Sequence, residues 1–189
     1  SNLQVSYMSL KVLRRIVTEG YERPHRDESV CEFMKLIVAH FDLLVSHQEN
    51  FKEVDIYEKF IRCYGKLFYN LITSSPANFI LLPCSTQILI TYTSLLFDKA
   101  PLVYNEKSDE CGDFWEQTAI RGFLILKRVF NFIHKKGAVI LKARSDKVSI
   151  DESIKRISTE FLNEQLVTKL VDILMKWYLK LRPCDLENW

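Results

Sequence analysis

Glycine and proline are scarce: five of each in 189 residues leave few places for tight turns, which argues against the turn-rich all-β classes. No segment alternates polar and apolar residues convincingly, so strands have no support of their own. No apolar run approaches the ~20 residues that span a bilayer, because Lys, Arg or Asp interrupts the longest candidates, and membrane insertion is not expected. Neither sign of charge dominates. The 26 basic and 24 acidic residues leave a net charge of +2, too weak a field to hold the chain on a nucleic acid or an anionic membrane unaided. The five cysteines, Cys31, Cys63, Cys84, Cys111 and Cys184, are odd in number and widely spaced, and no secretory signal is read ahead of them; reduced thiols in a cytosolic or nuclear protein are the expectation.

What the chain does have is apolar and aromatic mass, 48% hydrophobic with twelve Phe and eight Tyr, which calls for a buried interior. These residues recur at three- and four-residue spacing. Val30, Phe33, Met34, Ile37, Val38 and Phe41 form one such face, and Tyr57, Phe60, Ile61, Tyr64, Leu67 and Phe68 another. The spacing predicts helices at about 4–19, 28–48, 54–73, 77–98 (broken at Pro83), 113–136, 149–162 and 164–182. Capping-box spacing at Ser29 to Glu32 and at Ser149 to Glu152, and Ser75 ahead of Pro76, mark three helix starts. Ser1 and Asn2 read as a cloning remnant and carry no weight in the fold.

The fold class expected is all-α. Helices paired as hairpins at about 4–48, 54–98 and 113–182, with an extra helix at 149–162, suit an α-solenoid (an α-α superhelix) of irregular repeats. Periodicity alone leaves a closed bundle open as well, and the hairpin spacing exceeds the ~40–47 residues of regular HEAT or armadillo units. Residues 177–189 pass from an apolar helix through Pro183 into an acidic-aromatic stretch ending on Trp189, which reads as part of a longer solenoid. Uncapped solenoid ends would promote self-association.

Residues that could carry chemistry are few and scattered. His40 and His47 could share a helix face, but no third or fourth ligand at a metal-site spacing joins them, so structural or surface roles are preferred. Cys31 and Cys63 read as small core residues; a Cys-His nucleophile has no residue that singles it out. Gly20, Gly65, Gly112, Gly122 and Gly137 are too dispersed for a phosphate-cradling loop. No enzyme, metal or cofactor is expected. A basic run, Lys127, Arg128, Lys135, Lys136, Lys142, Arg144 and Lys147, could meet phosphates, yet Lys135 and Lys136 also suit a helix C-terminus; nucleic-acid contact is the lesser reading. The acidic linker 105–113 with Glu116 could attract a basic partner or simply lead into a helix N-terminus.

Residues 10–25 run Leu-Lys-Val-Leu-Arg-Arg-Ile-Val-Thr-Glu-Gly-Tyr-Glu-Arg-Pro-His, a helix ending in a Gly-aromatic turn followed by Pro24-His25. Residues 181–189 contain Pro183, Asp185, Leu186, Glu187 and Trp189 in a Pro-x-Asp-Leu-Glu-x-Trp pattern. Together the two segments, about 160 residues apart, resemble the importin-β (karyopherin-β) family, and most closely its importin-eleven branch.

The resemblance implies a HEAT-repeat solenoid and an internal part of a nuclear import receptor that carries protein cargo under Ran-GTP control. It implies shuttling between nucleus and cytoplasm, with the Ran GTPase, phenylalanine-glycine nucleoporins and cargo as partners of the whole receptor. It places helices 28–48, 77–98 and 164–182 on the cargo- or Ran-facing side. Nucleoporin grooves are then expected between helices 4–19, 54–73 and 113–136, with no partner-binding residue assigned. The irregular 137–163 connection and the near-neutral charge depart from the family pattern.

Overall fold

A computed structural model describes residues 3–48, 54–105, 112–135 and 147–181, and every regular element among them is helical. In order these are α1 (Leu3–Glu19), a 3-10 turn (Pro24–Arg26), α2 (Glu28–Ser46), α3 (Val54–Ser74), α4 (Pro76–Leu81), α5 (Ser85–Asn105), α6 (Gly112–His134), α7 (Lys147–Glu160) and α8 (Glu164–Ile173). Helix α8 runs on into one π-helical turn, Leu174–Tyr178.

Local signals fix several boundaries. The Ser75 hydroxyl accepts from the Asn78 amide at 3.2 Å, with Pro76 in the first turn where its missing N–H costs nothing. Pro83 separates α4 from α5, as the sequence predicts. Elsewhere the structure corrects the expectation. Asp27 rather than Ser29 caps α2, its Oδ1 accepting from the Val30 amide at 3.0 Å, because a charged acceptor stands at the extended position two residues earlier. Ser149 lies inside α7, which begins at Lys147. Helix α5 passes through Pro101 to Asn105 instead of stopping at 98: so near its end the proline removes a single backbone donor, and Tyr104 beyond it is held against Trp177. The predicted helix 164–182 is α-helical only to Ile173.

The helices form two layers. In the first, α3 lies between α1 and α6; in the second, α5 lies between α2 and the α8 segment. Contacts of α2 with α3 and of α5 with α6 join the layers. Their meeting point is aromatic: Phe41 packs on Tyr64, Phe68 and Tyr92 with centroids 5.4, 5.3 and 5.8 Å away. Tyr92 is buried and its hydroxyl donates to the Thr118 carbonyl at 3.3 Å. Two glycines make room for it. A Cβ on Gly122 would stand 2.8 Å from the Tyr92 ring and 2.9 Å from Leu96, and one on Gly65 2.8 Å from the Tyr92 hydroxyl.

Helix α7, the departure from a regular repeat, docks on α4 through Ile150, Ile154, Ile157 and Phe161 on its buried side. Its Arg156 reaches the break between α4 and α5 and donates to the Ile80 and Leu82 carbonyls and the Ser85 hydroxyl at 3.2 to 3.3 Å. Where the chain bends, the Ser85 hydroxyl and amide also donate to the Ile80 and Leu82 carbonyls, at 3.2 and 3.1 Å, and the guanidinium adds a second donor to each. At the far side of α4, the Asn78 amide donates to the Glu22 carbonyl at 2.7 Å and ties in the loop after α1.

Two apolar stripes stay uncovered. Val5, Met8, Val12 and Ile16 are 46 to 62% exposed along α1, and Val167, Val171, Met175 and Leu179 are 48 to 65% exposed along α8 and its π turn. These helices flank opposite sides of the two layers.

Candidate interaction surfaces

The residues weighed for catalysis or metal binding do not converge. The His40 Nδ1 pairs with the Tyr64 hydroxyl, between the rings of Phe60 and Tyr64, and burial pushes its pKa below the ordinary 6.5. His47 sits at the end of α2, with Nδ1 3.3 Å from the Leu43 carbonyl. Cys63 and Cys84 are buried core residues whose thiols burial pushes upward, that of Cys84 to about 11. Half-buried Cys31 lies 3.5 Å from the His25 carbonyl, and its thiol is raised by burial and then by Asp27. Cys111 and Cys184 lie outside the described residues. Among the described residues, no three His, Cys, Asp or Glu side chains are placed to share a metal ion.

Of the basic run, Lys127, Arg128 and Lys135 are exposed at the end of α6 and Lys147 opens α7; Lys136, Lys142 and Arg144 lie outside the described residues. Within the acidic linker, 106–111 also lies outside, while Gly112 opens α6 and Glu116 edges an apolar pocket. Residues 182–189, with Pro183 and Trp189, and Gly137 are likewise outside.

That pocket, of about 310 Å³, is walled mainly by apolar and aromatic side chains. Val103 and Tyr104 of α5 form one wall, Ala119 and Phe123 of α6 the second, and Leu174, Trp177 and Tyr178 of the π turn the third. The π turn closes with the Leu179 amide donating to the Leu174 carbonyl at 2.8 Å. The wider turn brings both Trp177 and Tyr178 onto α5 and α6. Trp177 meets Tyr104 edge-on at 5.7 Å, while Tyr178 meets Phe123 at 4.8 Å and donates to the Leu96 carbonyl at 2.7 Å. The Lys180 ammonium covers Tyr104 at 4.6 Å. An aromatic side chain entering here would find edge and face partners on three sides.

Of the grooves along α1, α3 and α6, one at the junction of the three is lined by cations, amides, Tyr69, Ile120 and Leu124, and another, mainly apolar, lies where α1 meets α2 and α3, with Leu10, Leu13 and Phe60 in its walls. The apolar periodicity includes Trp177 but ends the earlier helix at 98, short of Tyr104; the longer α5 and the π turn bring the two rings together. On the second layer, Asp42 and Asp98 flank a polar groove between α2 and α5, with the Thr91 hydroxyl donating to Asp42 at 2.9 Å.

No protein-family model matches the chain. Over all 189 residues it is 73% identical to the importin beta-like protein KAP120 of Saccharomyces cerevisiae, spanning 18% of that protein's length. A solved structure of Lph2, described as a novel bidirectional nuclear transport receptor in S. cerevisiae, superposes over the whole chain at 71% identity with a TM-score of 0.87, again over 18% of its own length. The stacked helical layers and the full-length identity agree that these 189 residues belong to the importin-β family and share its α-solenoid fold.

Proposed function

We propose that the chain serves as a non-catalytic helical-repeat segment of a nuclear transport receptor that shuttles between nucleus and cytoplasm with protein cargo. The 73% identity to an importin beta-like protein, unbroken over the full 189 residues, carries the reading. Cargo or Ran-GTP engages the layer of α2, α5 and α8, where the Asp42 and Asp98 groove offers carboxylates to basic side chains. Small rotations between stacked hairpins couple the two ligands, since an effector that changes one affinity must be changed reciprocally.

Phenylalanine-glycine nucleoporins bind the pocket of Tyr104, Phe123 and Trp177. Burying one phenylalanine yields about 1.5–3 kcal/mol before association costs, so a single site exchanges fast and retention comes from many sites together. A Phe-Gly peptide should perturb the Trp177 indole and the neighbouring Phe123 resonances, whereas a Ser-Gly peptide of equal length should not. Identical spectra with both peptides would remove this pocket from pore transit. A cargo-binding assay of the whole receptor carrying Asp42→Lys with Asp98→Lys tests the opposite layer separately.

A further inference from the structure

Arg14 of α1, Lys66 of α3 and Arg121 of α6 line one open groove of about 430 Å³ at the junction of their three helices. No Asp or Glu lines it. Among the described residues, the ion pairs join Arg15 to Glu19, Lys35 to Glu32 and Arg62 to Glu58, and take none of the three. Their field reaches beneath the surface: Arg14 and Lys66 are the leading charges that oppose the burial-driven rise of the Cys63 thiol.

The groove is built around Gly65. A Cβ there would meet the Arg121 Cδ at 3.1 Å, so the bare backbone of α3 is what lets the Arg121 stem lie across it. Arg121 is half-buried and Lys66 exposed, so one cation is seated and another is free to adapt. Between them stand the Asn70 and Gln117 amides and the Tyr69 phenol, able to bond a peptide backbone. Ile120 and Leu124, 45 and 38% exposed, form an apolar rim.

We infer that this groove docks an extended acidic peptide segment, its carboxylates on Arg14, Lys66 and Arg121 and an intervening apolar side chain on Ile120 and Leu124. Three convergent cations in a chain of net charge +2 suit a short run of carboxylates. A nucleic acid held by its backbone gains affinity with each phosphate neutralised, and three cations beside an aliphatic rim suit a short carboxylate run with an apolar side chain better than a long phosphate track. The groove lies apart from the aromatic pocket, sharing only Ile120 with it, and its occupancy does not depend on the transport role.

The test is fluorescence anisotropy of the 189-residue chain with a labelled peptide of alternating Glu and Leu, at low and at physiological ionic strength. Its Gln-for-Glu counterpart and a single-stranded poly-uridine RNA serve as comparison probes. Saturable binding of the acidic peptide should weaken at least about tenfold, the equivalent of one charge-assisted contact, in Arg14→Gln with Lys66→Gln and Arg121→Gln. Lys127→Gln with Arg128→Gln removes exposed α6 cations outside the groove and should leave binding unchanged. Circular dichroism melts check folding, and exposed Lys66→Gln alone carries the test if the triple variant is unstable. Equal weakening by the α6 control, undiminished binding by the groove variants, or binding of the Gln peptide as tightly as the Glu peptide would overturn the inference. Tighter capture of the RNA, lost on the groove variants, would replace it with a nucleic-acid site.

Discussion

His40 is exposed along one edge of α2 with its Nδ1 on the Tyr64 hydroxyl, and partial desolvation of the ring favours its neutral form. The folded chain therefore binds this proton less readily than the unfolded chain, whose imidazole titrates near 6.5. As pH falls through that value the unfolded state takes up the proton first, so the His40 contribution to stability is intact at neutral pH and is lost progressively on acidification. Urea denaturation at pH 7.5 and 5.5 should show parent stability falling more than that of His40→Gln. An equal fall in both would exclude this imidazole as a source of the pH dependence. The sequence put His40 and His47 on one face, yet only His40 has a ring partner, 24 residues away on α3. Spacing within one helix cannot reveal a partner on another. The same holds for Gly65 and Gly122: dispersion argues against a phosphate loop, but their purpose, clearance for Tyr92 and Arg121, needs three helices in place.

At the scale of elements, the break at Pro83 and the Ser75 cap are legible because each is decided within a few residues. The Asp27 cap was within reach too, since an Asp directly before the apolar periodic run is as strong a start signal as the Ser29 pattern. The π turn and the docking of α7 were not, because contacts between helices distant in sequence decide them. Arg156 shows how much hangs on one such contact. Charged hydrogen bonds contribute about 1.5–3 kcal/mol each at most, and part-exposure reduces that. Arg156→Met should therefore cost about 1 kcal/mol, because the Ile80 and Leu82 carbonyls each lose one of two donors and keep the Ser85 hydroxyl and amide. Urea denaturation measures it, with the exposed neighbour changed as Lys155→Met for comparison. A loss no larger than the Lys155→Met value would mean that water replaces the guanidinium without cost. Amide exchange in α4 should accelerate in the same variant, since α7 rests there.

For the whole molecule, the all-helical class followed from what the chain lacks as much as from its periodicity, whereas the choice of stacked layers over a closed bundle required the contacts themselves. Those contacts leave the α1 and α8 stripes bare. Repeat proteins depend on polar terminal faces for solubility, so the 189-residue chain should self-associate, and Val12→Lys with Val171→Lys should suppress it. Sedimentation velocity decides: a single concentration-independent species for the parent would remove the stripes as contact surfaces. The two stripes are also different surfaces, one on α1 and one on α8 with its π turn, so a contact between copies that pairs them joins unlike faces. A pairing of like faces is completed by a two-fold axis and ends at a dimer, but unlike faces leave one of each kind still open after every addition. Growth is then head-to-tail, and the mean mass should climb with concentration without a plateau at two.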